Sequence, residues 1–131
     1  MKSTTFKYWY IGIIFAFILA YLSHKLFRKE SLFQNGKMAY AYVYEVNDAG
    51  IKAANIVIYY SFFVEQREHS GGMDSNLDYA VKSEIMNRYV PVIYDTLNPN
   101  NNILLISEKN WEKLNLPFPD SLSWLKKYYP L

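Results

Sequence analysis

Hydrophobic positions fall in two regimes along this chain, one continuous and one alternating. The continuous regime comes first. Tyr8 to Leu22 reads YWYIGIIFAFILAYL, fifteen residues without a charge. Extending the run to Phe6 and Phe27 admits only Lys7, Ser23, His24 and Lys25 as polar positions. A helix rises ~1.5 Å per residue, so about twenty residues cross a ~30 Å hydrocarbon layer. The pattern predicts one N-terminal transmembrane helix over about residues 6–27. Its terminal lysines would snorkel, and Tyr8, Trp9 and Tyr10 would lie at headgroup depth. A cleaved signal peptide needs small residues at its cleavage site, and Tyr21, Leu22 and Ser23 follow Ala20 instead. The segment therefore reads as a membrane anchor rather than a cleaved signal or a buried core helix.

Beyond Gln34-Asn35-Gly36, where Gly36 could take a left-handed cap, the period changes from helical to two. Met38 to Val46 (MAYAYVYEV) sets Tyr40, Tyr42, Tyr44 and Val46 against Ala39, Ala41, Val43 and Glu45, a strand rich in aromatic and β-branched residues. Asn47-Asp48-Ala49-Gly50 is turn chemistry. Asn55 to Val64 (NIVIYYSFFV) is a second strand, followed by a polar hairpin end and a short third strand toward Ser70, with Gly71-Gly72 as a break. Residues 73–89 read as a loop or short helix, capped by Asp74 or Ser75. Val90 to Tyr94 (VPVIY) is a fourth strand, which Pro91 assigns to an edge or a bulge. Ile103 to Ile106 is a fifth. Ser107 or Glu108 opens a short helix through Trp111 to Leu114, and Pro117, Pro119 and Pro130 limit regular structure beyond it.

These elements predict an all-β, or β-rich α+β, fold. It is a small five-stranded SH3-like or OB-like barrel, preceded by one transmembrane helix and followed by a short C-terminal helix. The expected organisation is an anchor and linker over 1–37, a barrel over 38–107, and a helix with an aromatic, proline-containing tail over 108–131.

Charge sharpens this division. Residues 1–37 carry six bases against Glu30 alone, and residues 38–131 carry eight bases against eleven acids. The basic flanks suit a lipid bilayer, while the mildly acidic domain has no basic stripe for nucleic acid. Four bases follow the apolar run and two precede it, which favours a cytoplasmic domain; a signal anchor would instead export it. The chain has no cysteine, so disulfides, thiolate metal sites and a cysteine nucleophile are excluded.

Candidate chemistry is sparse. His24 lies at the end of the apolar run, and His69 follows Glu65 and Glu68 without the three or four ligands that zinc requires. Asp95, Asn98, Asn100 and Asn102 lack the spacing of a calcium loop and read as turn formers. Asp74, Asp78 and Glu84 read as solvated or capping acids. No nucleophile elbow, phosphate loop or zinc-protease motif occurs. No catalytic, metal or cofactor residue is therefore assigned. Thirteen tyrosines and three tryptophans are the unusual feature. Tyr42, Tyr44 and Tyr60 are expected to fill the core, while Trp124, Tyr128 and Tyr129 lie outside the strands, where they either pack back or bind, and are the candidate partner-binding residues.

The segment VPVIYDTLNPNNNILLI, with Ala41-Tyr42-Val43-Tyr44 and Tyr60-Ser61-Phe62 before it, resembles small bacterial membrane-anchored β-domain proteins of unknown function. The resemblance spans about residues 38–107 and implies the anchored-barrel architecture. Alanines 39 and 41 stand where such strands often carry glycine, and the resemblance transfers no catalytic residue. The reading that follows is a membrane-anchored, non-enzymatic module for binding or assembly with a protein partner. The competing reading is a small membrane-associated hydrolase-like enzyme whose polar groups meet only on folding.

Overall fold

The computed structural model describes residues 2–50 and 55–130. Side chains before Tyr8 lie outside the described residues, among them Phe6 and Lys7 at the start of the expected span. Helix α1 runs over Lys2–Asn35. Within it, Tyr8–Asn35 is long and apolar enough to cross a membrane, with a mean hydropathy of 1.7 and no buried side chain in its most apolar stretch. The chain divides into two compact units at Ser31/Leu32. Leu32, buried at 3 % exposure, and Phe33 thus belong with the strands rather than with the anchor, and residues 108–131 share that same unit.

No linker separates helix from sheet, because strand β1 spans Gly36–Asp48 and begins at the residue after α1. Gly36 does not take the left-handed cap expected of it: Gly50 is the one glycine with positive φ among the described residues. Gly36 is required by close approach instead. A Cβ there would overlap the Leu32 carbonyl oxygen and the Ile93 side chain.

Five strands form one curled antiparallel sheet, a half-barrel. Strands β2 (Ile56–Val64), β3 (Arg67–Ser75), β4 (Tyr89–Asp95) and β5 (Asn102–Leu104) join β1 in the order β3-β2-β1-β4-β5. Strand β1 serves two partners in succession. Gly36–Tyr42 pairs with β4, and Tyr42–Asp48 pairs with β2. A bulge between Val43 and Glu45 switches the parity, so Ala41 and Val43 point inward before it and Val46 after it. On β2, Ile56, Ile58, Tyr60 and Phe62 are all buried, each burial stabilising the fold by roughly 1.5–3 kcal/mol. Tyr60 is the core tyrosine that the sequence predicts. Tyr42 and Tyr44 are not, because β1 presents its alanines inward and its tyrosines outward.

The third strand does not stop at Gly71-Gly72 but pairs with β2 as far as Ser75. The glycines serve packing: a Cβ on Gly71 would come within 2.6 Å of the Tyr60 ring and 2.5 Å of Asn102 Oδ1. Within residues 73–89, β3 takes the first three positions, and the short helix expected there is a 3₁₀ turn at Tyr79–Val81 followed by helix α2 at Lys82–Ile85. Its cap is Asp78, which accepts from Ala80 N at 2.9 Å, since Asp74 and Ser75 are still in the strand.

Pro91 lies on interior strand β4, not on an edge. It faces Leu105, whose N–H donates to the Pro91 carbonyl at 2.9 Å. Pro91 has no N–H to return, and the indole of Trp111 donates to the Leu105 carbonyl instead, also at 2.9 Å. Trp111 is placed by helix α3 (Glu108–Lys113), and a 3₁₀ segment over Asp120–Tyr128 follows despite the neighbouring prolines. Its Leu122 and Leu125 enter the core.

Candidate functional site

The outward parity of β1 and β4 builds the most distinctive surface of the second unit. Register sets Tyr42 opposite Tyr89, Tyr40 opposite Pro91 and Met38 opposite Ile93. Large side chains collect there because the inward positions of β1, alanines 39 and 41, are occupied by the smallest apolar residue. Met38, Tyr40 and Tyr89 are 50 %, 69 % and 69 % exposed, and Phe63 on β2 is 66 % exposed.

Two hollows share this surface. One, of about 390 Å³, lies between Met38, Tyr40, Tyr89 and Pro91 on the strands and Leu122 and Trp124 on the 3₁₀ segment. The other, of about 210 Å³, is lined by Tyr40, Tyr42, Ser61, Phe62, Phe63 and Tyr89. It sits where β1 and β2 part company. Their ladder ends at Tyr42 and Ser61, although β1 reaches back to Gly36 and β2 runs on to Val64.

Local chemistry fixes the walls. After α2, Asn87 takes φ 62°, a left-handed conformation that asparagine tolerates better than most residues. Its N–H donates to the Val43 carbonyl at 2.9 Å, and Val43 N donates to the Arg88 carbonyl at 3.0 Å. The Tyr42 hydroxyl donates to Asn87 Oδ1 at 2.6 Å, and the Tyr42 and Tyr89 rings meet at 5.4 Å. The same turn lays the Arg88 guanidinium over the Trp124 ring, 4.6 Å from its centroid. Arg88 is the one ionised side chain lining the larger hollow, whose lining contains no carboxylate.

The three aromatic residues singled out from the sequence do not form one patch. Trp124 lines the larger hollow. Tyr128 and Tyr129 are half-buried against the core, and their hydroxyls donate within the chain, to Glu84 Oε1 and to the Ile106 carbonyl, each at 2.7 Å. Burial, helped by Glu108, pushes the Tyr129 hydroxyl up to about 12. Lys127 also bonds Glu84, at 2.5 Å, and these two donors hold the Glu84 carboxyl below its ordinary value despite some opposing desolvation. The hydrogen bond to Glu84 likewise raises Tyr128.

The polar residues weighed for catalysis or metal binding serve separate local tasks. Asp95 accepts from Leu97 N at 2.9 Å, and Asn102 bridges the Pro99 and Asn100 carbonyls. His69 lies against Phe62 at 5.8 Å. Among the described residues, no group of three or more histidines and carboxylates stands close enough to hold a metal. The residues that reasoning from sequence overlooked are Met38, Tyr40, Phe63, Arg88 and Tyr89. The signal for two of them was available, since small residues on one parity of β1 leave the large parity to face outward.

Compared with protein families, curated proteins and solved structures, the chain matches no family model, no curated sequence and no solved structure.

Proposed function

We propose that this chain is a membrane-tethered, non-catalytic binding module, an SH3-like small barrel that offers the outer aromatic face of β1 and β4 to a protein partner. One observation carries this reading: four large apolar side chains, Met38, Tyr40, Phe63 and Tyr89, stand at least half exposed around two adjoining hollows. Clustered aromatic residues beside an arginine are the composition of interface hot spots, because the rings bury much area at small entropic cost. Trp124 takes part as the far wall of the larger hollow, and Tyr128 and Tyr129 anchor the 3₁₀ segment that carries it. Helix α1 would hold the module at the bilayer. The four bases after the apolar run favour a cytoplasmic domain.

Affinity capture from native membranes tests the reading with the full chain and a Tyr40→Ser/Tyr89→Ser variant. Both side chains are exposed, so the variant should keep its fold while losing its partner. Recovery of the same partner in the same yield by both proteins would refute the assignment of this face. Protease treatment of sealed vesicles tests the topology: a domain cleaved in intact right-side-out vesicles would overturn the cytoplasmic placement.

A further inference from the structure

The register of the sheet leaves backbone hydrogen-bonding groups of β1 open at this same face. Pro91 turns its carbonyl to Leu105, on the β5 side of β4. Tyr40, directly opposite Pro91, therefore makes no ladder bond to β4, and its N–H and C=O point the other way. Met38, two residues back, shares that direction. The strand they would pair with is β2, but the β1–β2 ladder has already ended at Tyr42 and Ser61. Both a donor and an acceptor are thus presented at Met38 and again at Tyr40, along an edge bordered by the hollow between Tyr40, Tyr42 and Phe63.

We propose that the partner segment binds as an added β-strand along Met38–Tyr40, in the slot where β1 and β2 diverge. The inference rests on the binding reading above and names the form of the ligand. An extended chain supplies alternating N–H and C=O groups to match the open edge, and its alternate side chains enter the aromatic hollow. A polyproline segment has no N–H to give the open carbonyls and fits this edge poorly. Edge strands left open in this manner are ordinarily paired or protected, and this one lies beside an exposed aromatic wall.

The test uses the full chain in lipid nanodiscs and a soluble octapeptide alternating valine with threonine and lysine. Two further octapeptides carry backbone N-methyl groups on the odd or the even residues. Strand addition predicts that one N-methyl parity weakens binding at least tenfold while the other changes it less than about twofold. Met38→Pro removes one N–H that the register points away from β4, beyond the end of the β1–β2 ladder. It should weaken the parent peptide several-fold with the near-ultraviolet dichroism of the domain unchanged. Equal binding of both methylated peptides, no binding of the parent at millimolar concentration, or self-association abolished by Met38→Pro would each overturn the proposal. If natural partner capture still depends on Tyr40 and Tyr89 in that event, the binding face stands and only strand addition falls.

Discussion

The Trp111 indole donates to the carbonyl of Leu105 at 2.9 Å, in the place where Pro91 across the ladder has no N–H to offer. One side chain from α3 thereby completes the backbone pairing of two strands. A buried carbonyl left unpaired costs about 1–3 kcal/mol, and Trp111→Phe should destabilise the domain by at least that amount. The bond-specific part can be isolated with Pro91→Val, which restores a backbone N–H. Urea unfolding of the full chain in micelles should show Trp111→Phe costing about 1 kcal/mol less in the Pro91→Val background than in the wild type. Equal costs in both backgrounds would mean that Trp111 acts only by packing.

Across the open side of the half-barrel, the Tyr60 hydroxyl donates to Asn102 Oδ1 at 2.5 Å, bringing β2 to the start of β5. Asn102 spends its amide on the Pro99 and Asn100 carbonyls, so one side chain orders both the seam and the asparagine loop. Tyr60→Phe should cost about 1–2 kcal/mol, a part-buried hydrogen bond lost with little change of volume. Gly71→Ala should cost more, because its Cβ would meet both partners at 2.5–2.6 Å. Chemical denaturation of the two variants checks the order, and a Gly71→Ala protein as stable as Tyr60→Phe would contradict it.

The β2–β3 hairpin turns on Glu65 and Gln66, with φ of 50° and 69°. Two positive φ values between Val64 and Arg67, which pair directly, describe a type I′ turn made from residues that disfavour it. Replacing the pair by Asn-Gly should stabilise the domain by about 1–2 kcal/mol, since left-handed backbone is costly for ordinary side chains and free for glycine. The midpoint of thermal unfolding should rise by several degrees. An unchanged midpoint would show that the strain is relieved elsewhere.

Periodicity made the helix, the strands and α3 legible in the sequence, because each has a pattern tied to its own geometry. The errors share one cause: they lie where a distant residue decides the local outcome. Gly71 and Gly72 look like a break until Tyr60 and Asn102 are seen to need the space above Gly71. Pro91 looks like an edge signal until Trp111 replaces its missing donor. The aromatic surface was partly legible, since Trp124, which lines its larger hollow, could be named from its place outside the strands. Tyr40 and Tyr89 could not be paired without the register, and Phe63 joins them only where β1 and β2 diverge. Tyr128 and Tyr129 showed the reverse problem. Their place outside the strands leaves packing back and partner binding equally open, and Glu84 and the Ile106 carbonyl hold both hydroxyls against the domain.

That Glu84 cluster should make the attachment of the 3₁₀ segment sensitive to acid. Lys127 and Tyr128 both donate to Oε1, which lowers the Glu84 carboxyl from its ordinary 4.5 in the folded state. A carboxyl depressed by folding contributes stability that is present above its unfolded value and is lost as pH falls through its folded value. The contribution should therefore be intact at neutral pH and fade below about 4.5. Glu84→Gln keeps an oxygen acceptor but cannot titrate, so its stability carries no pH dependence from this position. Wild type should be the more stable protein at pH 7, and the gap should close on acidification. The decisive measurement is the urea midpoint of both proteins across the acid range, and parallel curves would show that the Lys127 bond contributes nothing to holding the segment.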